Sequence, residues 1–280
     1  MKTAIKKLIV RFVPLPLRKF LARWINTRHW ISAGNRAYWA TELLTDLAER
    51  DVNEYHKFLW ANHLAYAETY EVELRFGYEN FNETRKQLFA EWPAIIRSTD
   101  IGSCQNVGSV LEIGCSLGYL LRYMETDLFP DATRLDGIDI DAYAIARGRQ
   151  YLAAADSRVE LFQGDMESMD SVLGDRQYDV VLGSGVLLYL DAASASRLVA
   201  QMLRRTRRLL TITALADPDT DNAHLEQSVT RARDGTWVHN VDKMIVDAGG
   251  RIVARRWEGG RIVDGNTIYF LHAVPPPDVA

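Results

Sequence analysis

From Ser109 onward, short apolar runs alternate with stretches of helical period, and this alternation limits the fold more than any other feature of the chain. The runs are Val110–Ile113, Leu135–Ile140, Val159–Phe162, Tyr178–Leu182, Arg208–Thr213, Arg251–Trp257 and Thr267–Val274. Strands that alternate with helices need right-handed crossovers, which build a mainly parallel sheet covered on both faces. The last two runs differ. Gly259-Gly260 and Asp264-Gly265-Asn266 offer turns with no room for a helix, so this pair is expected to be antiparallel.

The chain has 280 residues, 48% apolar and 25% charged, which supplies a sizeable core and excludes a wholly disordered or collagen-like protein. The length suits one large domain, or one domain with a substantial appendage. Cys104 and Cys115 are too few for a disulfide framework and their spacing matches no zinc pattern, which points to a reducing, cytoplasmic setting. No apolar stretch is long enough to span a bilayer, and the early apolar runs are too short for a secretory signal.

The formal net charge of −4 hides an asymmetry: nine basic residues and no acid lie between Met1 and Thr41, and the rest of the chain carries −13. Ile5, Leu8, Ile9 and Phe12, then Leu17, Phe20, Leu21, Trp24 and Ile25, recur at helical spacing on either side of Pro14-Leu15-Pro16. Lys6, Lys7, Arg11, Arg18, Lys19 and Arg23 occupy the other faces. The composition of residues 1–34 suits a helix in a lipid interface, so membrane contact is expected through residues 1–28. Packing on the protein's own body or a partner subunit, or removal as a transit sequence, remain open on the same residues. The acidic remainder disfavours a nucleic-acid partner.

Residues 35–104 read as a helical cap, with no proline until Pro93, which with the polar stretch from Ser98 to Gly108 marks a connection. Five of the seven tryptophans (Trp24, Trp30, Trp39, Trp60, Trp92) precede residue 93, and core packing between helices is the expectation for each. Residues 105–280 form the strand-and-helix domain. The densest chemical signal there is Val110-Leu-Glu112-Ile-Gly114-Cys115-Ser116-Leu-Gly118-Tyr119. A buried strand ends at Glu112, a glycine turn follows, and a helix begins with free backbone N–H donors. The Gly-x-x-x-Gly spacing lacks the Gly-x-Gly-x-x-Gly of a dinucleotide site, so NAD is disfavoured.

On these residues the chain resembles the class I S-adenosylmethionine-dependent methyltransferases. Their first motif matches Glu112-Ile-Gly114-Cys115-Ser116-Leu-Gly118, with Ser116 in place of the usual glycine. Gly137-Ile-Asp139-Ile140-Asp141 follows 21 residues beyond Gly118, where the family grips the ribose hydroxyls. Gln163-Gly-Asp165-Met166 falls where the family contacts adenine, and Tyr178 to Leu190, containing Ser184, Gly185 and Tyr189, resembles the motif on the methyl-transfer side. The resemblance covers about residues 105–274. It implies an α/β, Rossmann-like seven-stranded sheet of order 3-2-1-4-5-7-6 with its last strand antiparallel, behind an N-terminal helical cap. It also implies S-adenosyl-L-methionine as cofactor.

Asp139 is expected on the ribose, with Asp141 as helix cap; Asp165 reaches adenine or caps the next turn. Glu112 holds the Gly114 turn or reaches the cofactor's ammonium group indirectly, and Cys115 is a small turn residue. A hydroxyl acceptor needs a base. His239, in Gly235-Thr-Trp237-Val-His239-Asn240, is the first candidate, against an ordinary structural histidine; Tyr189 is the candidate wall. His63, Tyr66 and Tyr70 share one helix face. Asp217-Pro-Asp219-Thr-Asp221-Asn222 alternates acids like a calcium loop but has Asn222 at the glycine position and Ser228 where the last ligand should stand. No metal is expected, and a lid or solvated loop is. The acceptor that fits the basic front end and the tryptophans is a sugar hydroxyl of a glycan or lipid-linked glycan. A lipid, quinone or other small molecule, or a non-catalytic cofactor-binding protein, are the alternatives.

Overall fold

The computed structural model describes residues 12–28, 30–64, 75–232 and 234–276. The sequence readings on Lys2, Ile5, Lys6, Lys7, Leu8, Ile9, Arg11, Tyr66 and Tyr70 lie outside these residues. The chain divides into two compact units, Met1–Glu71 with Asp141–Tyr143, and Val72–Ile140 with Ala144–Ala280.

The first unit holds helices α1 (Leu15–Asn26), α2 (Ala33–Leu43), α3 (Thr45–Arg50) and α4 (Val52–Ala61). Pro14 caps α1 and Pro16 sits in its first turn, where the missing N–H is unpaired in any helix. Asp51 caps α4 by accepting from the Glu54 N–H at 2.9 Å. Ala22, Ala40, Leu44, Leu47, Phe58 and Leu59 form the core.

The single apolar stripe predicted on α1 is divided between two faces. Leu21 and Ile25 pack on the core beside Ala22, whereas Leu17, Phe20 and Trp24 are 48%, 59% and 43% exposed. Arg18 takes a core-facing position instead of the predicted polar face. Its guanidinium donates to Leu43 O at 2.8 Å and Val13 O at 2.9 Å, and its Nη2 meets Asp46 Oδ2 at 2.7 Å. Lys19 pairs with Glu54. Two front-end cations are thus matched by acids of the same unit. Trp30 and Trp39 are also exposed, which corrects the core-packing expectation for them and for Trp24.

The second unit is built on a seven-stranded sheet: β1 (Ser109–Ile113), β2 (Arg134–Asp139), β3 (Val159–Gln163), β4 (Tyr178–Ser184), β5 (Thr206–Leu215), β8 (Arg251–Val263) and β9 (Asn266–Val274), in the order β3-β2-β1-β4-β5-β9-β8. With the two-residue strands β6 (Val229–Thr230) and β7 (Trp237–Val238) set aside as a separate ribbon, this is the expected 3-2-1-4-5-7-6 order. The first five strands run parallel, and β9 is antiparallel to both β5 and β8. β1 is buried at every position because helices cover both faces of the sheet. Those helices are α5 (Glu83–Arg97), α6 (Tyr119–Tyr123), α7 (Ala142–Ala154), α8 (Met169–Leu173), α9 (Ala192–Arg205) and α10 (Val241–Asp247).

Two expectations are corrected here. Gly259-Gly260 is not a turn: β8 runs through it, with the register slipping between Trp257 and Ile262. Gly259, at φ +58°, provides a bulge, and the hairpin closes at Asp264-Gly265 alone. Pro93 does not end the helical region either, since α5 continues to Arg97. The proline removes a backbone bond at a cost of about 3 kcal/mol. Complete burial of Trp92 and Ile96, worth about 1.5 to 3 kcal/mol for each side chain, offsets it. The Trp92 indole also donates to Thr211 Oγ1 at 3.1 Å, and Arg256 pairs with Glu91 at 2.9 Å.

Candidate functional site

The parallel strands end in register. Ile113 pairs with Ile138 on one side and Gly183 on the other, so the next residues, Gly114, Asp139 and Ser184, stand at one level along the carboxyl edge. Asp139 in turn pairs with Gln163, which brings Asp165 and Met166 just beyond the same edge. β1 is buried at every position, whereas Gly114, Ser116, Asp139, Ile140, Asp165, Met166, Ser184, Gly185 and Tyr189 at and beyond the strand ends are all half-buried. A parallel sheet binds ligands at this edge, beside the strand where the connections reverse direction; here that is β1, between β2 and β4.

The turn after β1 is held by its own backbone and by β2. Gly114 and Cys115 N–H groups donate to Ile138 O at 2.9 and 3.2 Å, and Gly118 N–H to Cys115 O at 2.8 Å. Gly114 has φ +73°, and a Cβ there would stand 2.4 Å from Val186 Cγ1. Gly118, at φ +78°, opens α6. Ser116 adopts φ +52° without being glycine, and its N–H donates to Asp139 Oδ2 at 2.7 Å. The Asp139 carboxylate therefore holds the turn as well as facing the edge, and a carboxylate has lone pairs for further donors.

Glu112 and Cys115 are buried beside the turn. Glu112 is 2% exposed, and its Oε2 has no hydrogen-bond partner among the described residues. Burial pushes its carboxyl well above the usual range; Arg85 opposes the rise and Asp139 adds to it. Burial likewise pushes the Cys115 thiol up, reinforced by Asp139 and Glu112, so the thiol stays protonated and serves as packing. Asp165 Oδ1 accepts from Glu167 N–H at 3.0 Å, so it caps the turn that follows. Met166 packs on the main core. Ser184 Oγ bonds Thr213 Oγ1 at 2.9 Å, and Gly185 N–H donates to Thr213 O at 3.1 Å.

His239 is buried, and both ring nitrogens are engaged. Nε2 lies 3.1 Å from Leu187 O, and Nδ1 2.7 Å from Ser228 Oγ. A carbonyl can only accept, so Nε2 carries the proton and Nδ1 accepts from the Ser228 hydroxyl. Burial lowers the imidazole pKa, against the Leu187 and Leu190 carbonyls that favour the charged ring. Leu187 belongs to the same 3-10 turn as Tyr189, directly beyond β4. The histidine thus supports the turn that presents Tyr189 and is hydrogen-bonded on its other side to Ser228.

Within the first unit, His63 Nδ1 lies 2.6 Å from Asp141 Oδ2, and Asp141 Oδ1 accepts from Tyr143 N–H at 2.9 Å. Asp217 Oδ1 accepts from Asp219 and Thr220 N–H groups at 3.0 and 2.8 Å, while Asp221 pairs with Arg255. These acids make turns and an ion pair. Among the described residues no group of three or more His, Cys, Asp or Glu side chains is arranged to hold a metal ion.

Arg85 is not part of the sequence reading, Asp264 enters it only as part of a turn, and Ser228 only as a residue unsuited to a calcium loop. Asn82 before an acidic first turn marks the start of α5, and its side chain does accept from Arg85 N–H at 3.1 Å. Nothing local announces that Asp264, 180 residues away, accepts from Thr84 N–H at 2.7 Å and from its hydroxyl at 2.6 Å.

The strand order and the glycine turn at the carboxyl edge of the sheet are those of Rossmann-like methyltransferases. Residues 110–208 match the family model described as a methyltransferase domain. Over 63 residues the chain is 35% identical to carboxy-S-adenosyl-L-methionine synthase from Chromohalobacter salexigens, a match covering 22% of this chain and 23% of that protein. The N-methyltransferase NodS from Bradyrhizobium japonicum, solved with S-adenosyl-L-homocysteine, aligns with a TM-score of 0.50 at 20% identity, covering 70% of this chain and 89% of that one. The [4+2]-cyclase SpnF aligns with a TM-score of 0.50 at 16% identity, over 60% of this chain and 75% of that one. At these identities the two structures share the fold.

Proposed function

We propose that this protein transfers the methyl group of S-adenosylmethionine to a sugar hydroxyl of a glycan or lipid-linked glycan, working at a membrane surface. The observation that carries the cofactor part is the row of half-buried residues at the ends of β1, β2 and β4, backed by a buried carboxylate oxygen with no partner among the described residues. An unpaired buried oxygen costs about 1 to 3 kcal/mol, a cost that a ligand donor removes.

In this reading the backbone of Gly114, Cys115, Ser116 and Gly118 cradles the cofactor, and Asp139 accepts from the ribose hydroxyls. Asp165 accepts from the adenine amino group while Ile140 and Met166 flank the ring. Ser184 and Gly185 line the opposite wall. The bound cofactor supplies an already activated methyl group, so the protein's contribution is chiefly alignment. Tyr189 bounds the acceptor, and a proton leaving an acceptor hydroxyl reaches His239 through Ser228.

The membrane part rests on the first unit. Leu17, Phe20 and Trp24 share the solvent face of α1 with Arg23, and Phe12 and Trp30 are 68% and 81% exposed nearby in sequence. Aromatic side chains beside cations suit the headgroup region of an anionic bilayer. Among the described residues no helix is long and apolar enough to cross a membrane, so contact is peripheral. A sugar acceptor on a lipid carrier would be presented at such a surface.

Incubation with labelled cofactor and lipid-linked or free glycans, followed by product mass analysis, tests the acceptor. A gain of one methyl group on a sugar hydroxyl is expected; methylation of a quinone or lipid instead replaces the acceptor class. SpnF, a cyclase by name, shares the fold, so the fold alone does not dictate the reaction. Cofactor binding with no methyl transfer to any of these acceptors would favour a non-catalytic role.

A further inference from the structure

Three cations of the first unit are neutralised inside it: Arg18 and Arg50 pair with Asp46, and Lys19 with Glu54. Arg28 and Arg36 meet no acid among the described residues, yet neither stands free in solvent. Arg36 is only 9% exposed, and Arg28 is half-buried. In both, the guanidinium Nε is buried and has no hydrogen-bond partner among the described residues. A charge taken out of water in this way is costly unless an anion offsets the lost hydration.

The two arginines attach to one turn. Beyond α1, Ile31 N–H donates to Arg28 O at 2.9 Å, which closes a turn over residues 28–31. Arg36, within α2, reaches back to that turn, and its Nη1 donates to Ile31 O at 2.6 Å. Arg28 lies over the Trp24 ring, its guanidinium carbon 4.2 Å from the centroid. The turn leads directly into α2, which has no side-chain cap at Ser32 and no acid in its first turn. The first backbone N–H groups of α2 therefore lack a partner within the helix. Two guanidiniums and a helix N-terminus on one short segment suit a compact anion with several free oxygens, and a tetrahedral phosphate is such an anion.

We propose that Arg28, Arg36 and the N-terminus of α2 bind a lipid headgroup that ends in a phosphate. A terminal phosphate offers three free oxygens and a second ionisation, enough to meet both guanidiniums and the helix N–H groups. A phosphodiester has two free oxygens and a single charge. The surroundings favour a lipid over a dissolved anion. Trp30 stands exposed on the same turn, and Trp24, which carries Arg28 on its ring, shares the outer face of α1 with Leu17 and Phe20. Exposed aromatic and apolar side chains around an anion site suit the headgroup region of a bilayer. The proposal rests on the membrane reading above and sharpens it from a general attraction to anionic surfaces into recognition of one headgroup.

The test is flotation of the full chain with phosphatidylcholine vesicles that carry either phosphatidic acid or phosphatidylglycerol, adjusted to one surface potential. The intact protein should prefer phosphatidic acid. Arg36→Gln should weaken binding to phosphatidic acid about tenfold and change phosphatidylglycerol binding by less than about twofold. Arg28→Gln, at a half-buried position, should act in the same direction and covers the case in which the Arg36 variant misfolds. Arg50→Gln, which removes an equal charge from the exposed surface of the same unit, should leave the preference intact. If the Arg28 and Arg36 variants weaken both vesicles alike, or change neither, the attraction is general and the proposal fails while the membrane reading stands. Calorimetric binding of inorganic phosphate as tight as that of phosphatidic acid vesicles, and lost in the same variants, would assign the site to a dissolved anion and overturn the lipid. Intact protein that binds neither anionic vesicle overturns the membrane reading, and this inference with it.

Discussion

The backbone N–H of Ser116 donates to the carboxylate of Asp139 at 2.7 Å, joining the turn after β1 to the tip of β2. The contact makes one side chain serve two ends. It fixes a non-glycine residue at φ +52°, and it holds the carboxylate at the carboxyl edge of the sheet. Asp139→Ala should therefore weaken S-adenosylhomocysteine binding at least tenfold in calorimetry, and Asp139→Asn, which can still accept from Ser116, should fold normally yet bind weakly. Equal affinity in Asp139→Asn and wild type would remove the ribose role.

Asp264 is the corresponding device for α5. Although burial raises its pKa, Thr84 and the Glu83 and Thr84 backbone N–H groups hold the carboxyl below the usual range. Asp264→Ala should cost about 1 to 2 kcal/mol from the lost cap, with a further contribution from placing alanine at φ +51°. Urea midpoints measure this, and Asp264→Asn should recover most of it.

Acid should weaken the fold in two separate windows. Burial, aided by the Arg256 charge, pushes the His272 imidazole down to about 4. An unfolded histidine titrates near 6.5. The folded form binds fewer protons between these values, so the stability associated with a neutral His272 is present above pH 6.5 and is lost as pH falls toward 4. The difference corresponds to about 3 kcal/mol. His239 is shifted in the same direction by burial. Glu125 is different: burial raises it, but Ser157, Arg158 and Arg122 hold it at about 2. Its share is retained above pH 4.5 and lost between there and 2. Denaturation of His272→Gln at pH 7.5 and 5 should show a smaller drop than wild type; an unchanged drop would exclude His272 as the source.

Membrane contact should depend on the outer face of α1. Replacing Leu17, Phe20 and Trp24 with serine should reduce sedimentation with anionic vesicles at least fivefold while leaving cofactor affinity intact. Neutral vesicles should bind the wild type weakly and salt should weaken anionic binding further. Substitution is the sound test because Arg18 and Ala22 of the same helix belong to the core, so deleting residues 1–28 would damage the fold. Vesicle binding unchanged by the triple substitution would contradict the assignment.

Much of this architecture is legible in the sequence. The strands are apolar runs because the sheet is covered on both faces, and the motif residues sit where those runs stop. Pairings between distant segments were not legible. Arg18 reads as a surface cation until Asp46, 28 residues later, is seen to neutralise it. His239 reads as a side chain standing by itself, and its hydrogen bonds with Ser228 and Leu187 come from distant segments. Pro93 reads as a helix stop because local propensity cannot anticipate the packing of Trp92 and Ile96 on the sheet. Arg85 carries no motif, and its place over the Tyr119 ring follows from the tertiary mounting of α5.

Cofactor binding is the central claim. Titration calorimetry of the full chain with S-adenosylhomocysteine should give saturable one-to-one binding at the strand-edge site, abolished or weakened at least tenfold by Asp139→Ala. A folded, intact protein that takes up neither S-adenosylhomocysteine nor S-adenosylmethionine would contradict it.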